Sequence, residues 1–139
     1  MSQTAIFWPM IAHVVLVYIV YATMARRRFG AVRSGAVKAS QFKLRGNEPE
    51  VSATVSSNLM NQFELPVLFH VLGLALYLTD GVNYLTLILM WVFVASRYVH
   101  ALIHTTSNRL MARHNAFLFG AVVLALCWLW FALHIAGLV

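Results

Sequence analysis

Four long apolar segments, separated by polar stretches, dominate the hydrophobic pattern of this 139-residue chain. They run over residues 5–24, 58–79, 83–104 and 115–136. Each is about 20 residues long, the length at which a helix rising 1.5 Å per residue crosses a hydrocarbon core of about 30 Å. None alternates with the period of two that a membrane barrel requires. The pattern predicts an all-α integral membrane protein, a four-transmembrane-helix bundle forming one domain over residues 1–139.

Charged side chains are too scarce for an ordinary soluble surface. They make up 10% of the chain, against about 25% in soluble domains. The basic residues also lack the mixed polar surroundings of a groove-binding protein, so we expect no nucleic-acid partner. The single cysteine, Cys127, lies in an apolar run. It is therefore interpreted as a small buried hydrophobe rather than a reactive thiol.

The placement of the cations predicts the topology. Seven of the ten lie between Arg26 and Arg45, in the connection between the first and second segments. The third connection holds Arg109 and Arg113, whereas the second holds only Asp80. Because basic loops stay on the cytoplasmic side, the first and third loops are predicted to be cytoplasmic and both termini non-cytoplasmic. The first segment has no cation before it and is expected to be retained. The long first connection is either a functional loop or a helical extension above the membrane.

A polar layer interrupts the second and third segments near their cytoplasmic ends. At 1.5 Å per residue, Glu64 lies about 9 Å deep and Arg97 about 10 Å deep. An isolated charge inside a membrane is costly, so the two are predicted to pair. Polar residues at helical spacing predict two inward-facing stripes, one of Asn58, Asn61 and Glu64 and one of Arg97, His100 and His104. The layer is either a buried ion pair that fixes helix packing or a pocket for an anionic ligand.

Two histidine patterns leave another class of protein open. His100 and His104 stand at i and i+4, a spacing that can bind a metal with Glu64 as third ligand. A neighbouring arginine would repel a divalent cation, so we expect no metal site. His13 and His70 lie at similar depth in the first and second segments, where two facing histidines can ligate haem b. A haem- or metal-binding membrane subunit is therefore an alternative to hydrogen-bonded core histidines.

Three short motifs follow one another through the polar layer. Residues 61–66 read Asn-Gln-Phe-Glu-Leu-Pro, residues 97–100 read Arg-Tyr-Val-His, and residues 113–120 read Arg-His-Asn-Ala-Phe-Leu-Phe-Gly. They resemble, in the same order, the Asn-x-x-Glu then Pro, Arg-x-x-His and Arg-x-x-x-Phe-x-x-Gly motifs of the MAPEG family. These are membrane-associated proteins in eicosanoid and glutathione metabolism, including microsomal glutathione transferases. The resemblance covers nearly the whole chain in length, helix count and topology.

The resemblance implies a homotrimer with glutathione as cosubstrate, bound between neighbouring subunits in a cytoplasm-facing pocket. It implies transfer of glutathione to a lipophilic electrophile, or reduction of a lipid hydroperoxide, with that substrate entering from the bilayer. A non-catalytic binding or scaffold protein on the same fold is the alternative. By position, Arg113 corresponds to the thiol-activating arginine, with Arg109 as the second candidate. The implied glutathione-binding residues are Asn61, Glu64, Arg97, His100 and His104.

The chain departs from the family's pattern at two positions. Ser57 stands where the family usually has an arginine, four residues before Asn61. His104 stands where many members carry a tyrosine. The first departure removes one clamp for a carboxylate. At the second, a histidine can still donate a hydrogen bond.

Overall fold

The computed structural model describes residues 1–43 and 48–139, which form five α-helices and no strand. The helices are α1 (Phe7–Arg33), α2 (Glu50–Asn61), α3 (Leu65–Leu78), α4 (Tyr84–Thr105) and α5 (Leu110–Ile135). Because α2 and α3 form one interrupted span, the helices make four spans that are long and apolar enough to cross a membrane. The all-α class and the four membrane-crossing helices predicted from the hydrophobic pattern are confirmed.

The first two spans are longer than their apolar segments. Helix α1 continues to Arg33 instead of ending near residue 24, and α2 begins at Glu50 instead of near residue 58. The added turns are polar, so the length of an apolar run could not reveal them. The first connection is therefore partly a helical extension, one of the two alternatives that its length left open.

Arginines at the end of α1 hold these extensions together. Arg27 donates hydrogen bonds to Thr54 Oγ1, at 3.2 Å, and to the backbone carbonyl of Thr105. Arg28 forms an ion pair with Glu48. The cationic cluster predicted as a topology signal thus also makes tertiary contacts. Arg45, which belongs to the same cluster, lies outside the described residues.

The second span breaks at residues 62–64, directly before Pro66. Proline has no N–H, and in a continuous helix its ring would clash with the carbonyl of Gln62. Helix α2 accordingly ends at Asn61 and α3 begins at Leu65, with Glu64 between them at φ −96° and ψ −104°. The break turns Glu64 outward, whereas Asn58 is fully buried. The predicted single stripe of Asn58, Asn61 and Glu64 is therefore wrong, because it assumed an unbroken helix.

Helices α4 and α5 approach closely at Gly120. A Cβ atom added there would lie 2.5 Å from Ser96 Oγ, so only glycine allows this spacing. One turn earlier on α5, the ring of Phe117 lies 5.7 Å from the ring of His100, centre to centre. The glycine thus sets the distance at which α5 presents its side chains to α4.

The apolar core lies below the polar layer. Phe69 of α3 stacks on Phe93 of α4 with ring centres 4.8 Å apart. Cys127 of α5 belongs to the same cluster and is 1% exposed. This burial agrees with the interpretation of the cysteine as a small hydrophobe.

Candidate functional site

A pocket of about 400 Å³ opens beside the break in the second span, between α2, α4 and α5. We call it the polar pocket. It is lined by Ser57, Asn61, Glu64, His100, His104, Leu110, Arg113, His114 and Phe117. Five of the residues predicted for the site from the sequence are among them: Asn61, Glu64, His100, His104 and Arg113. The fold therefore brings these positions together around one space of ligand size, while their roles stay predictions.

Arg97 lies directly behind the polar pocket and is completely buried. Its Nη2 donates to the backbone carbonyl of Asn61 at 3.4 Å and to His100 Nδ1 at 3.3 Å. Its Nε and Nη1 have no hydrogen-bond partner within residues 1–43 and 48–139. The guanidinium carbon also lies 5.4 Å from the ring centre of Phe117. A buried charge is normally paired and fully hydrogen-bonded, so this cation lacks most of its expected compensation.

The predicted direct pair between Glu64 and Arg97 is not formed. Within residues 1–43 and 48–139, the ion pair of Arg28 with Glu48 is the only direct one. Glu64 acts on Arg97 only through a longer-range Coulombic attraction. The cause is the helix break, which leaves the Glu64 side chain exposed at the pocket wall. The polar pocket thus has an accessible carboxylate and a buried guanidinium that do not neutralise each other by contact.

The two arginines proposed for thiol activation occupy different positions. Arg113 lines the polar pocket and is half-buried, and its Nη1 donates to Asn108 Oδ1 at 2.8 Å. Asn108 has φ +46°, a left-handed conformation that asparagine tolerates better than most residues. Arg109 is the exposed N-terminal capping residue of α5 and does not line the pocket. The geometry therefore brings Arg113 to the site and leaves Arg109 outside it.

A chain of side-chain hydrogen bonds connects the polar pocket to α1. Its members, in order, are His70, His13, Gln62, Asn58 and His104, joined by contacts of 3.1, 3.2, 3.1 and 3.4 Å. We call it the amide–histidine chain. The sequence indicated only that His13 and His70 share a depth. Asn58 was predicted to face inward, but its bonds to Gln62 and His104 were not, because they depend on how the second span packs against α1 and α4.

The contact between His13 and His70 does not fit a haem iron. Their ring nitrogens are 3.1 Å apart and hydrogen-bonded to each other. An iron held between two imidazoles would separate the nitrogens by roughly 4 Å, twice a metal–nitrogen distance of about 2 Å. In the described part of the chain, no three His, Cys, Asp or Glu side chains are placed to hold a metal ion.

The charges of the polar pocket suit a ligand that carries both signs. Arg113 at the wall and Arg97 behind it attract carboxylates, which guanidinium groups bind with charge-assisted hydrogen bonds. Glu64 at the same wall can accept hydrogen bonds from an ammonium group. His114 and Ser57 add polar groups at the edge. His114 could have been found from the sequence, because it directly follows Arg113.

Four long apolar helical spans define a multi-pass integral membrane protein, and the polar pocket lies among them. The model of the MAPEG family matches residues 5–133. The chain therefore belongs to the MAPEG family, as its motifs indicated, and is a membrane protein of glutathione or eicosanoid metabolism in the broad sense. No curated protein and no solved structure matches the chain.

Proposed function

We propose that the protein binds glutathione in the polar pocket and transfers it to lipophilic electrophiles. The observation that carries the proposal is the fully buried Arg97, two of whose nitrogens have no partner among the described residues, directly behind a pocket lined by Arg113 and Glu64. A buried cation with so little compensation is stabilised by an anion. The general association of the MAPEG family with glutathione supports glutathione or a related thiol as that anion.

Glutathione matches the polar pocket in charge. It carries two carboxylates, an ammonium group and a thiol. The carboxylates would be attracted by the charge of Arg97 behind the wall, and the ammonium group would pair with Glu64, which leaves Arg113 for the thiol. A volume of about 400 Å³ lies within the usual range for small-molecule sites, about 300–1,000 Å³. His104 and Asn61 offer further hydrogen bonds at the wall.

Arg113 is proposed to stabilise the thiolate. A free thiol has a pKa of about 8.5, and a neighbouring arginine lowers it, which raises the fraction of the reactive anion. The thiolate sulfur then donates its electron pair to an electrophilic carbon, forming a C–S bond as a leaving group departs or a polarised double bond accepts the electrons. With a lipid hydroperoxide, two glutathione molecules would supply two electrons and leave as the disulfide, while the hydroperoxide leaves as an alcohol and water.

The proposal includes a homotrimer whose polar pockets open to the cytoplasm. The exposed position of Glu64 on the pocket wall leaves one side of the site for a neighbouring subunit to cover. The basic connections near Arg27 and Arg113 support a cytoplasmic position for that side of the bundle, by the positive-inside rule. A lipophilic substrate would then enter sideways from the bilayer.

A glutathione titration tests the binding. With the protein in lipid nanodiscs, millimolar glutathione should raise the melting temperature, because a ligand of the folded state stabilises it by mass action. Arg113→Ala should abolish the shift. Arg109→Ala is the matched control, since it removes a neighbouring arginine outside the pocket, and should keep the shift. The absence of any shift in the wild-type protein would refute glutathione binding while leaving the fold intact.

A second measurement separates a transferase from a non-catalytic binding protein. Ser57, where the family pattern has an arginine, favours the second candidate because one carboxylate clamp is missing. Turnover of a chloronitrobenzene electrophile, lost in Arg113→Ala, would support transfer. A thermal shift without turnover of this electrophile or of a lipid hydroperoxide would instead support the binding or scaffold role.

A further inference from the structure

A second pocket, of about 330 Å³, opens on the outer surface of the subunit between α1 and α3. We call it the outer pocket. Its walls are apolar and include the exposed side chains of Val14, Tyr18, Phe63 and Val67. Its polar lining consists of His13, Gln62 and His70, which are members of the amide–histidine chain. An apolar pocket with a few convergent polar groups is the usual form of a site for a small lipophilic ligand.

The hydrogen bonds of the amide–histidine chain determine which nitrogen of His70 carries a proton. The Gln62 Oε1 atom is a carbonyl oxygen and can only accept, so His13 Nε2 donates to it. Both histidines lie within membrane-spanning helices and are neutral, because a charge there is costly. The unprotonated Nδ1 of His13 must then accept from His70 Nε2. The remaining nitrogen, His70 Nδ1, is left with a lone pair and has no hydrogen-bond partner in the described part of the chain.

At the other end of the amide–histidine chain, the hydrogen bonds run in the same donor-to-acceptor direction. Gln62 Nε2 donates to Asn58 Oδ1. Asn58 Nδ2 in turn donates to His104 Nδ1, which leaves the His104 N–H on Nε2. Every bond therefore runs from His70 toward the polar pocket. The orientations of the Gln62 and Asn58 amide groups thus determine the direction of the bonds, and with these orientations the lone pair lies on His70 Nδ1.

We propose that the outer pocket binds a membrane-dissolved amphiphile with a neutral hydroxyl head group, which donates its O–H to His70 Nδ1. A head group that only accepts hydrogen bonds, such as an ether, would place its oxygen against this lone pair and be rejected. The apolar walls contact the part of the amphiphile's alkyl chain nearest the head group, and the rest of the alkyl chain stays in the bilayer. Binding at His70 requires neither glutathione nor Arg113, so it stands apart from the function proposed above.

The test uses ¹⁵N-histidine-labelled protein in nanodiscs and follows the ring nitrogen resonances. The probes are dodecan-1-ol and dodecyl methyl ether, which share a long alkyl chain but differ in the hydroxyl donor. Dodecan-1-ol should shift the unprotonated Nδ1 resonance of His70 saturably, and the ether should not. His70→Phe assigns this resonance by its loss. If that variant does not fold, the resonance is assigned as the one whose response to dodecan-1-ol is selectively lost in Val67→Trp.

The controls locate the binding site. Val67→Trp fills the outer pocket without replacing any member of the amide–histidine chain and should weaken the response to dodecan-1-ol at least about tenfold, as expected for a blocked site. Arg113→Ala should leave the response unchanged. Equal responses to both probes, no saturable response, or a protonated His70 Nδ1 would each overturn the proposal. A failed glutathione titration beside a normal alcohol response would instead refute only the function proposed for the polar pocket.

Discussion

Two polar clusters share the membrane interior of this bundle and are satisfied to different degrees. In the amide–histidine chain, each side chain has a polar partner on another side chain, through contacts of 3.1 to 3.4 Å. Arg97, in the part of the chain that the structure describes, has only two hydrogen bonds, of 3.3 and 3.4 Å, and leaves Nε and Nη1 unpaired. The hydrogen bonds of the neutral cluster are nearly complete, whereas those of the charged residue are not.

This difference in hydrogen bonding distinguishes side chains that hold helices together from Arg97, which lacks a counter-charge. A satisfied neutral network can join helices in a membrane, where unpaired polar groups are costly. A buried cation without its counter-charge lowers the stability of the isolated subunit. We infer that Gln62 and its neighbours mainly hold α1 against the broken span. Arg97 instead stores unfavourable free energy that an anion can relieve.

The largest expected effect comes from replacing Arg97, whose hydrogen bonds are incomplete. Arg97→Met keeps an unbranched apolar stem and removes the guanidinium group with its charge. It should weaken glutathione binding roughly 10- to 150-fold, the range of a charged interaction worth about 1.5–3 kcal/mol. The melting temperature without glutathione should stay the same or rise. Both are read from one titration by thermal shift, and unchanged affinity in this variant would contradict the role given to Arg97.

Breaking the amide–histidine chain should instead lower the stability of the protein and leave glutathione binding nearly unchanged. Gln62→Leu removes two hydrogen bonds and leaves His13 Nε2 and Asn58 Oδ1 without a partner. The free energy of unfolding should fall by about 1–3 kcal/mol, as measured by reversible denaturation in detergent. Glutathione affinity should change little, because Gln62 does not line the polar pocket. A large loss of affinity with normal stability would show that the two clusters do not divide their roles in this way.

A variant that binds glutathione more tightly would further distinguish the polar pocket from the amide–histidine chain. Ser57 is exposed at the wall of the polar pocket, so a longer side chain can enter without overpacking. Ser57→Arg restores the family's arginine and should tighten glutathione binding about tenfold, as one charged hydrogen bond can provide. Calorimetric titration measures the change. Ser57→Gln, long but uncharged, is the control, and equal gains in both variants would mean that charge is not the cause.

The smallest effect is expected outside the membrane, at the ion pair of Glu48 with Arg28. Partial burial alone raises the pKa of Glu48, but hydrogen bonds from Arg28 and Ser52 and the charge of Arg28 outweigh it and hold the pKa below its usual value. A carboxyl group with a lowered pKa adds stability above its unfolded pKa of about 4.3, and that stability is lost as the pH falls through the lower folded value. An effect of up to about 1 kcal/mol is typical of such pairs.

Thermal unfolding of the wild-type protein and Glu48→Gln, followed from pH 7 to pH 3, tests this ion pair. The wild-type protein should be the more stable at pH 7, and the difference should disappear in the acid range. A difference that persists at pH 3 would show that the carboxylate charge is not responsible.

Much of the fold could be predicted from hydrophobicity, because a membrane span needs about 20 apolar residues whatever it packs against. The polar ends of α1 and α2 lacked that signal. The predicted end of the first span, near residue 24, was therefore too early, and the predicted start of the second span, near residue 58, was too late. The break before Pro66 had a local cause in the sequence. Its effect on Glu64 nevertheless depends on how the two half-helices pack, which no periodicity reveals.

The members of the polar pocket could be predicted better than their contacts. The resemblance to the MAPEG motifs indicated Asn61, His100 and Arg113 together, although they lie on three different helices. The pairing of Glu64 with Arg97 was inferred from depth alone and was wrong, since equal depth does not fix direction around a helix axis. The contacts of His13 with both Gln62 and His70 require α1 to meet both parts of the second span, which is a tertiary fact.

The break in the second span also has an electrostatic consequence for Arg97. A helix carries about half a negative charge at its C-terminus, where the last carbonyls lack partners. By ending at Asn61, α2 places such a terminus inside the membrane, and the Asn61 carbonyl accepts a hydrogen bond from Arg97. An unbroken helix would have no terminus at this depth. The broken helix thus supplies part of the counter-charge for the buried guanidinium, and the remainder sets how strongly an anion is drawn into the pocket.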